Sequence, residues 1–330
     1  MANILVTGCA GFIGSHLCTK LVNNKHNVVG LDNLSNGKLS NLESIIKDNQ
    51  FNFLKGDIND KSLLKRTLTN IDYVFHLAAL ADIVPSIKNP TDYFNSNVNG
   101  TFNLLNVCKD FKIKKFIYTA SSSCYGIPQR YPTNEQSKID LQYPYALTKN
   151  LGEQISFHFG KLYNIPVVSL RLFNVFGPRA RTSGTYGAVF GVFLAQKLAG
   201  EPYTIVGNGE QTRDFTYVDD VVEAFIEMLH SDLSQEIFNV GSGDTYSINY
   251  LVKLLGGKFI NIPKRPGEPD CTFADIGKIT ELTKWRPKIS FEVGVKKILN
   301  HINDFKQAPL WNEKTIAEET KDWFKYLKNN

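Results

Sequence analysis

The apolar, β-branched run Asn3–Thr7 leads without interruption into Gly8-Cys9-Ala10-Gly11-Phe12-Ile13-Gly14, and a helical pattern, Ser15–Val22, follows at once. A strand, a G-x-x-G-x-x-G turn and a helix in that order admit few folds. The first glycine allows a tight bend, the second a close backbone approach to a ligand, and the third close packing of the helix on the strand. The N–H groups that open the helix then face whatever lies over the turn, and their partial positive charge suits a pyrophosphate. A lone glycine pattern says little, but one set between a strand and a helix predicts a dinucleotide site. Asp32 stands at the end of the next apolar run, Asn27–Leu31. A carboxylate there accepts both hydroxyls of a ribose and repels a 2′-phosphate, so the expected cofactor is NAD and not NADP.

The alternation continues through Phe51–Leu54, Tyr73–His76, Phe116–Thr119 and Pro166–Leu170, each a short buried-strand run separated from the next by helical patterns. This is the rhythm of an α/β, Rossmann-type doubly wound parallel sheet. Later it weakens. Arg179–Tyr186 is rich in Arg, Gly, Ser and Thr, and Ile262–Asp270 carries Pro263, Pro266 and Pro269, so both read as loops over a site. The run Ile237–Val240, followed by Gly-Ser-Gly, predicts a return of the chain to the first sheet. The expected organisation is an NAD-binding domain over residues 1–175 with a return segment near 214–242. A smaller, discontinuous α/β substrate lobe would comprise 176–213 and 243–330. Residues 312–330 read as one amphipathic surface helix with Trp323 and Phe324 facing inward.

With 330 residues and 42% apolar composition the chain can bury a sizeable core. The cysteines Cys9, Cys18, Cys108, Cys124 and Cys271 are odd in number and form no C-x-x-C pair, which argues against a disulfide framework or a zinc ribbon. No run approaches the roughly 20 apolar residues of a membrane span, and the first residues lack the regions of a signal peptide. A cytoplasmic location and no membrane partner are expected. The net charge of +5 is spread without a Lys/Arg block, which suits anionic small molecules better than nucleic acid. The histidines show no H-x-x-x-H or H-E-x-x-H spacing, so no metal is expected. Trp285, Trp311 and Trp323 read as packing residues.

The chemistry is expected further along. Pro144 pre-sets the first turn of a helix, and Tyr145 and Lys149, four apart, fall on one face of it. An ammonium there can depress the phenol's pKa, so that the tyrosine takes a proton from a sugar hydroxyl while hydride leaves the same carbon for a nicotinamide. The spacing alone is common. Upstream, Ser121-Ser122-Ser123-Cys124-Tyr125-Gly126 lies just beyond a predicted strand and could hold the substrate oxygen beside the phenol.

Taken together with Gly56-Asp57-Ile58, His76-Leu77-Ala78-Ala79, Asn97-Val98-Asn99-Gly100-Thr101 and Arg171-Leu172-Phe173-Asn174, these motifs occur in the order of the extended short-chain dehydrogenase/reductases, over nearly the whole chain. Within them the chain most resembles the UDP-sugar 4-epimerases, including those acting on UDP-N-acetylhexosamines. The resemblance implies a UDP-hexose substrate, turned over at C4 through a 4-keto sugar, with Tyr145 as acid/base, Ser121 holding the substrate hydroxyl, and Lys149 as ribose anchor. It implies NAD contacts at Gly8, Gly11, Phe12, Ile13, Gly14, Asp32, Asn33, Leu34, Ser35, Asn36, Gly37, Asp57, Ile58, Leu77, Ala78, Ala79, Ala81, Asn97, Tyr145, Lys149 and Phe173. For the nucleotide sugar it implies Ser121, Ser122, Ser123, Tyr145, Asn174, Ala188, Val189, the strand Tyr203, Thr204 and Val206 against uracil, and Thr272. Arg213 and Arg265 would bond the diphosphate, for which a planar guanidinium fork is suited.

Some positions depart from the family's patterns. Hexose 4,6-dehydratases carry an acidic residue where this chain has Ser122, Ser123 and Cys124, which argues against dehydration. Ala81-Asp82 replaces a lysine frequent in glucose epimerases, and Leu172 a tyrosine. Thr272 falls where a bulky tyrosine restricts some epimerases to non-acetylated hexoses, so the small residue predicts room for an N-acetyl group. Other outcomes of the same fold are an epimerase, reductase or decarboxylase acting on a GDP-, CDP- or dTDP-sugar or a uronic acid, and a non-catalytic NAD-binding scaffold. The resemblance also implies a homodimer packed through helices near Thr91–Cys108 and Tyr145–Leu162.

Overall fold

Six strands in the first half, β1 (Asn3–Thr7), β2 (Asn27–Asp32), β3 (Phe51–Lys55), β4 (Tyr73–His76), β5 (Lys115–Ser121) and β6 (Val167–Leu172), form one sheet with the later strand Glu236–Val240. The order is β3-β2-β1-β4-β5-β6 and then Glu236–Val240, every neighbouring pair parallel. This computed structural model describes residues 1–180 and 188–327, so the part of the predicted loop Arg179–Tyr186 from residue 181 on lies outside the described residues. The expected return to the first sheet is present, in register from Glu236 opposite Val168 to Val240 opposite Leu172.

Parallel strands covered on both faces read as continuous apolar runs, because neither face meets water. Ile4, Val6, Phe75 and Ile117 point to one side, where they join Leu17 and Leu21 of α1 (Phe12–Asn23) and the helix Val218–His230. Leu5, Val74, Phe116 and Tyr118 point to the other, against Leu104, Leu105 and Phe159 of the helices Gly100–Cys108 and Pro144–Tyr163. The strand order reverses between β1 and β4, and such a switch point opens a crevice beyond the strands' C-terminal ends.

Outside the sheet the described residues make three small pairs of strands. Tyr203–Val206 runs parallel to Phe259–Ile262, Val175–Phe176 parallel to Thr216–Tyr217, and Thr212–Arg213 antiparallel to Tyr246–Ser247. Their apolar residues, with Phe190, Phe215 and Phe291, continue the cluster that starts under α1. Residues 312–330 are not one helix. An Asn312 capping box starts Glu313–Glu319, and at Thr320 the backbone leaves helical geometry while its hydroxyl bonds back to the Ile316 carbonyl. A second short helix, Lys321–Leu327, then buries Trp323 as expected and leaves Phe324 half-exposed. No helix among the described residues is long and apolar enough to cross a membrane.

Candidate active site

The glycine turn is closed by backbone alone. A Cβ on Gly14 would lie 2.1 Å from the Gly8 carbonyl oxygen, and one on Gly8, which has φ +72, would lie 2.7 Å from Ala78 N. Gly11 caps α1 without a side chain, so no side-chain acceptor covers the helix's first turn. Asp32 is buried at the end of β2, accepting the Ala10 N–H at 2.9 Å and the Leu34 N–H at 2.8 Å. Burial pushes its pKa up, and these two bonds oppose the rise. Asn33 donates to Asp57 at 2.8 Å, and Gly37 lies so near Ala10 and Asp32 that a Cβ would stand 2.9 Å from both side chains. Asn33 and Ser35 are exposed, Leu34, Asn36 and Gly37 half-buried, and Ile58 packs against Gly100. A narrow backbone cradle with a carboxylate at its far end fits a dinucleotide that carries a free ribose 2′-hydroxyl.

Across the crevice, His76 holds the ends of β1 and β4 together. Its Nδ1 is 2.7 Å from Thr7 Oγ1 and its Nε2 2.9 Å from Thr101 Oγ1. Burial lowers its pKa to about 3, so the ring is neutral. Thr101 already donates to the Asn97 carbonyl at 2.6 Å, which makes His76 Nε2 the donor and Nδ1 the acceptor. Asn97 grips Leu80 at both its N–H, 2.7 Å, and its carbonyl, 2.9 Å. Tyr93 donates to the carbonyl of Ala81. Leu77, Ala78, Ala79 and Ala81 thus form a fixed strip beside the glycine turn.

Pro144 opens its helix as expected, and Tyr145 and Lys149 follow on one face. The Ser121 hydroxyl at the end of β5 acts on the Tyr145 phenol, favouring its ionised form, and the Tyr145 ring meets Tyr93 edge-on at 6.4 Å. Ser121 Oγ lies 2.8 Å from Ser123 Oγ and accepts the Ser123 N–H, which fixes the short turn Ser122–Tyr125. The expected depression of the phenol by Lys149 is corrected by the structure. Burial pushes Tyr145 up to about 12, opposed by the bond from Ser121, while the charges of Asp82 and Cys124 push the same way as burial. Lys149 Nζ instead sits 4.6 Å from the centroid of the Tyr118 ring, and burial lowers its own pKa to about 7. Among the side chains of this site, Ser121 is the one that favours the phenolate.

The residues expected to hold a nucleotide sugar divide in two. Arg213 Nη2 lies 2.9 Å from Glu268 Oε1, and Arg265 grips the same carboxylate at 2.7 and 3.0 Å. Burial pushes Glu268 up, but the two guanidiniums outweigh it and hold the carboxyl below its ordinary range. Arg265 also stacks on Trp323, 5.2 Å from the ring, so Trp323 is both a packing residue and a platform. Tyr143, next but one to Tyr145 in the chain, lies 6.2 Å from the Trp323 ring on which Arg265 stacks. Thr272 donates to Asn174 at 2.7 Å and accepts the Asp214 N–H at 3.1 Å, so two expected sugar contacts touch each other.

The strand Tyr203–Val206 turns its side chains into the core. Tyr203 is buried against Phe193 and bonded to the Gly256 carbonyl, and Thr204 is buried against Gln196, because that strand's side chains complete the apolar cluster. It has only main chain to present to a base. Ala188 is exposed and Val189 half-buried at the start of the helix Val189–Ala199, which has no capping side chain. Phe173 is buried against Tyr125, 6.3 Å between rings. Sequence reasoning missed Glu268, which only the meeting of two arginine segments reveals, and Asp214, a buried carboxylate that accepts from Ser242, Ala274 and Thr216.

Residues 4–241 match the NAD dependent epimerase/dehydratase family, and the chain belongs to it. It is 35% identical, over 90% of this chain and 97% of the relative, to a putative UDP-glucose 4-epimerase of Methanocaldococcus jannaschii. Among solved structures it superposes with TM-score 0.86 and 34% identity, over 91% of this chain and 99% of the other, on UDP-glucuronic acid 4-epimerase from Bacillus cereus in complex with UDP-glucuronic acid and NAD. A similar match, TM-score 0.85 and 35% identity over 91% and 99%, is the UDP-N-acetylglucosamine 4-epimerase of Methanobrevibacter ruminantium M1 in complex with UDP-N-acetylmuramic acid.

Proposed function

We propose that this chain interconverts the C4 epimers of a UDP-hexose, UDP-glucose with UDP-galactose or the corresponding N-acetyl pair, using tightly held NAD. The observation that carries the reading is the Tyr145 phenol under the influence of the Ser121 hydroxyl at the end of β5, with Lys149 one turn further along the same helix. Relatives that bind UDP-sugars and NAD on the same fold support it.

In this reading Ser121 holds the sugar's O4 beside Tyr145, whose phenolate takes the O4 proton and later returns it. The chemistry NAD supplies when bound over Gly8, Gly11 and Gly14 is reversible hydride acceptance at C4, with no net redox. Lys149 anchors the cofactor's ribose, and Asp32 its other ribose. Arg213 and Arg265 hold the diphosphate, so the hexose can turn its opposite face to the hydride while remote contacts prevent escape. Residues 1–175 with 214–242 bind the cofactor, and 176–213 with 243–330 the nucleotide sugar. Exposed Phe94, Phe102, Leu147 and Leu162 on the helices expected at the dimer contact support a homodimer. Buried, unpaired Cys9, Cys18, Cys108 and Cys124 are in keeping with a reducing cytoplasm. Tyr145→Phe lowers turnover by about 10²–10⁴-fold, the usual worth of a positioned acid/base, while leaving NAD bound. Near-normal turnover in that variant refutes the assignment.

A further inference from the structure

Beneath the acid/base candidates lies a buried ion pair that the mechanism above does not use. Arg171 on β6 bonds Glu153 through Nε at 3.1 Å and Nη2 at 2.6 Å, and the two side chains are only 5% and 4% exposed. Ser169 adds a third bond to the same carboxylate at 2.7 Å. The remaining fork of Arg171 reaches Tyr125 OH at 2.9 Å and the Glu135 carbonyl at 3.2 Å. Tyr125 in turn donates to Asn239 at 2.7 Å. A buried ion pair is poor evidence of stability, since apolar residues of similar volume often serve as well. What such a pair adds is direction.

The direction closes a circuit. Glu153 lies on the helix of Tyr145, and Tyr125 ends the turn that begins at Ser121. Tyr145, its helix, Glu153, Arg171, Tyr125, the turn and Ser121 follow one another in one circuit, closed where the Ser121 hydroxyl acts on the Tyr145 phenol. We propose that Arg171, Glu153 and Tyr125 are a positioning clamp that sets the separation of Tyr145 from Ser121, an inference that rests on the epimerase reading. None of the three touches the reacting atoms. Among the described residues Glu153 with Arg171 is the one ion pair that the helix Pro144–Tyr163 makes.

The test is the paired substitution Glu153→Met with Arg171→Met, and separately Tyr125→Phe, each against wild type. A misplacement of about 1 Å costs about 100-fold in rate, so the double variant is expected to lose at least about tenfold in kcat with KM changed less than about threefold, the pattern of an interaction made in the transition state. Tyr125→Phe removes one hydroxyl and keeps the ring, so it folds even where the double variant does not, and a smaller loss of kcat is expected. Amide hydrogen exchange over Ser121–Tyr125 is expected to quicken in both. Unchanged kcat and unchanged exchange in Tyr125→Phe, or in a folded double variant, overturn the clamp. If wild type turns over no UDP-hexose the functional reading fails instead, and the exchange comparison alone decides the clamp.

Discussion

Alanine at Gly14 places a methyl carbon 2.1 Å from the Gly8 carbonyl oxygen, 2.9 Å from its carbonyl carbon and 3.1 Å from Cys9 Cα. Non-bonded carbon contacts settle at about 3.5–4.0 Å, so the turn or the start of α1 must move by roughly 1 Å. All three of these atoms are backbone, which cannot swing aside as a side chain can. Overpacking of this kind costs about 1–3 kcal/mol of stability. The same movement carries the first-turn N–H groups away from the pyrophosphate, and each 1.4 kcal/mol lost there weakens binding about tenfold. Gly11 is the internal control, because a Cβ there meets only the Gly8 carbonyl, at 3.2 Å. Gly14→Ala is therefore expected to lower both thermal stability and NAD affinity, and Gly11→Ala to spare stability while weakening NAD through the close approach it blocks. Thermal unfolding of the cofactor-free proteins, with NAD titrated by calorimetry, reads both. A Gly14→Ala protein with wild-type stability and an NAD Kd within about twofold of wild type refutes the cradle.

Two further outcomes follow from the substrate side. Burial raises Asp214 to about 6, so between its unfolded pKa and that value the native state holds the extra proton, and wild type loses stability relative to Asp214→Asn as the pH rises through this window. Denaturation of both proteins from pH 4.5 to 7.5 checks it, and a difference that is flat or moves the other way contradicts it. Thr272→Tyr breaks the bond to Asn174 and fills the space beside it, so turnover of UDP-N-acetylglucosamine is expected to fall more than that of UDP-glucose. Equal losses on the two substrates remove Thr272 as a specificity residue.

The sheet was legible because its strands are covered on both faces, so that consecutive positions, Ile4-Leu5-Val6 in Asn3–Thr7 or Val74-Phe75 in Tyr73–His76, are apolar. The later Ile237–Val240 run was legible for the same reason, although its partner β6 lies far back in the chain. The C-terminal helix was misread because the apolar periodicity runs on through Thr320, where the backbone leaves helical geometry. Helical spacing placed Tyr145 and Lys149 together correctly. It could not show the direction of the phenol's shift, which depends on burial and on Ser121, brought in from β5. That all four side chains of Tyr203–Val206 are buried was likewise hidden, since an apolar run does not tell whether the core or a ligand covers it. Arg213 and Arg265 were expected as a pair, but the carboxylate of Glu268 that both of them bond shows only in the fold.

The central claim is self-regenerating epimerisation at C4. Purified protein without added NAD, mixed in separate tubes with UDP-glucose and UDP-N-acetylglucosamine and followed through the anomeric protons by NMR, tests it most directly. The account predicts that the galacto isomer appears and approaches equilibrium in at least one tube, with no net accumulation of a keto sugar. No isomer in either tube, with NAD then added and its binding confirmed, contradicts it.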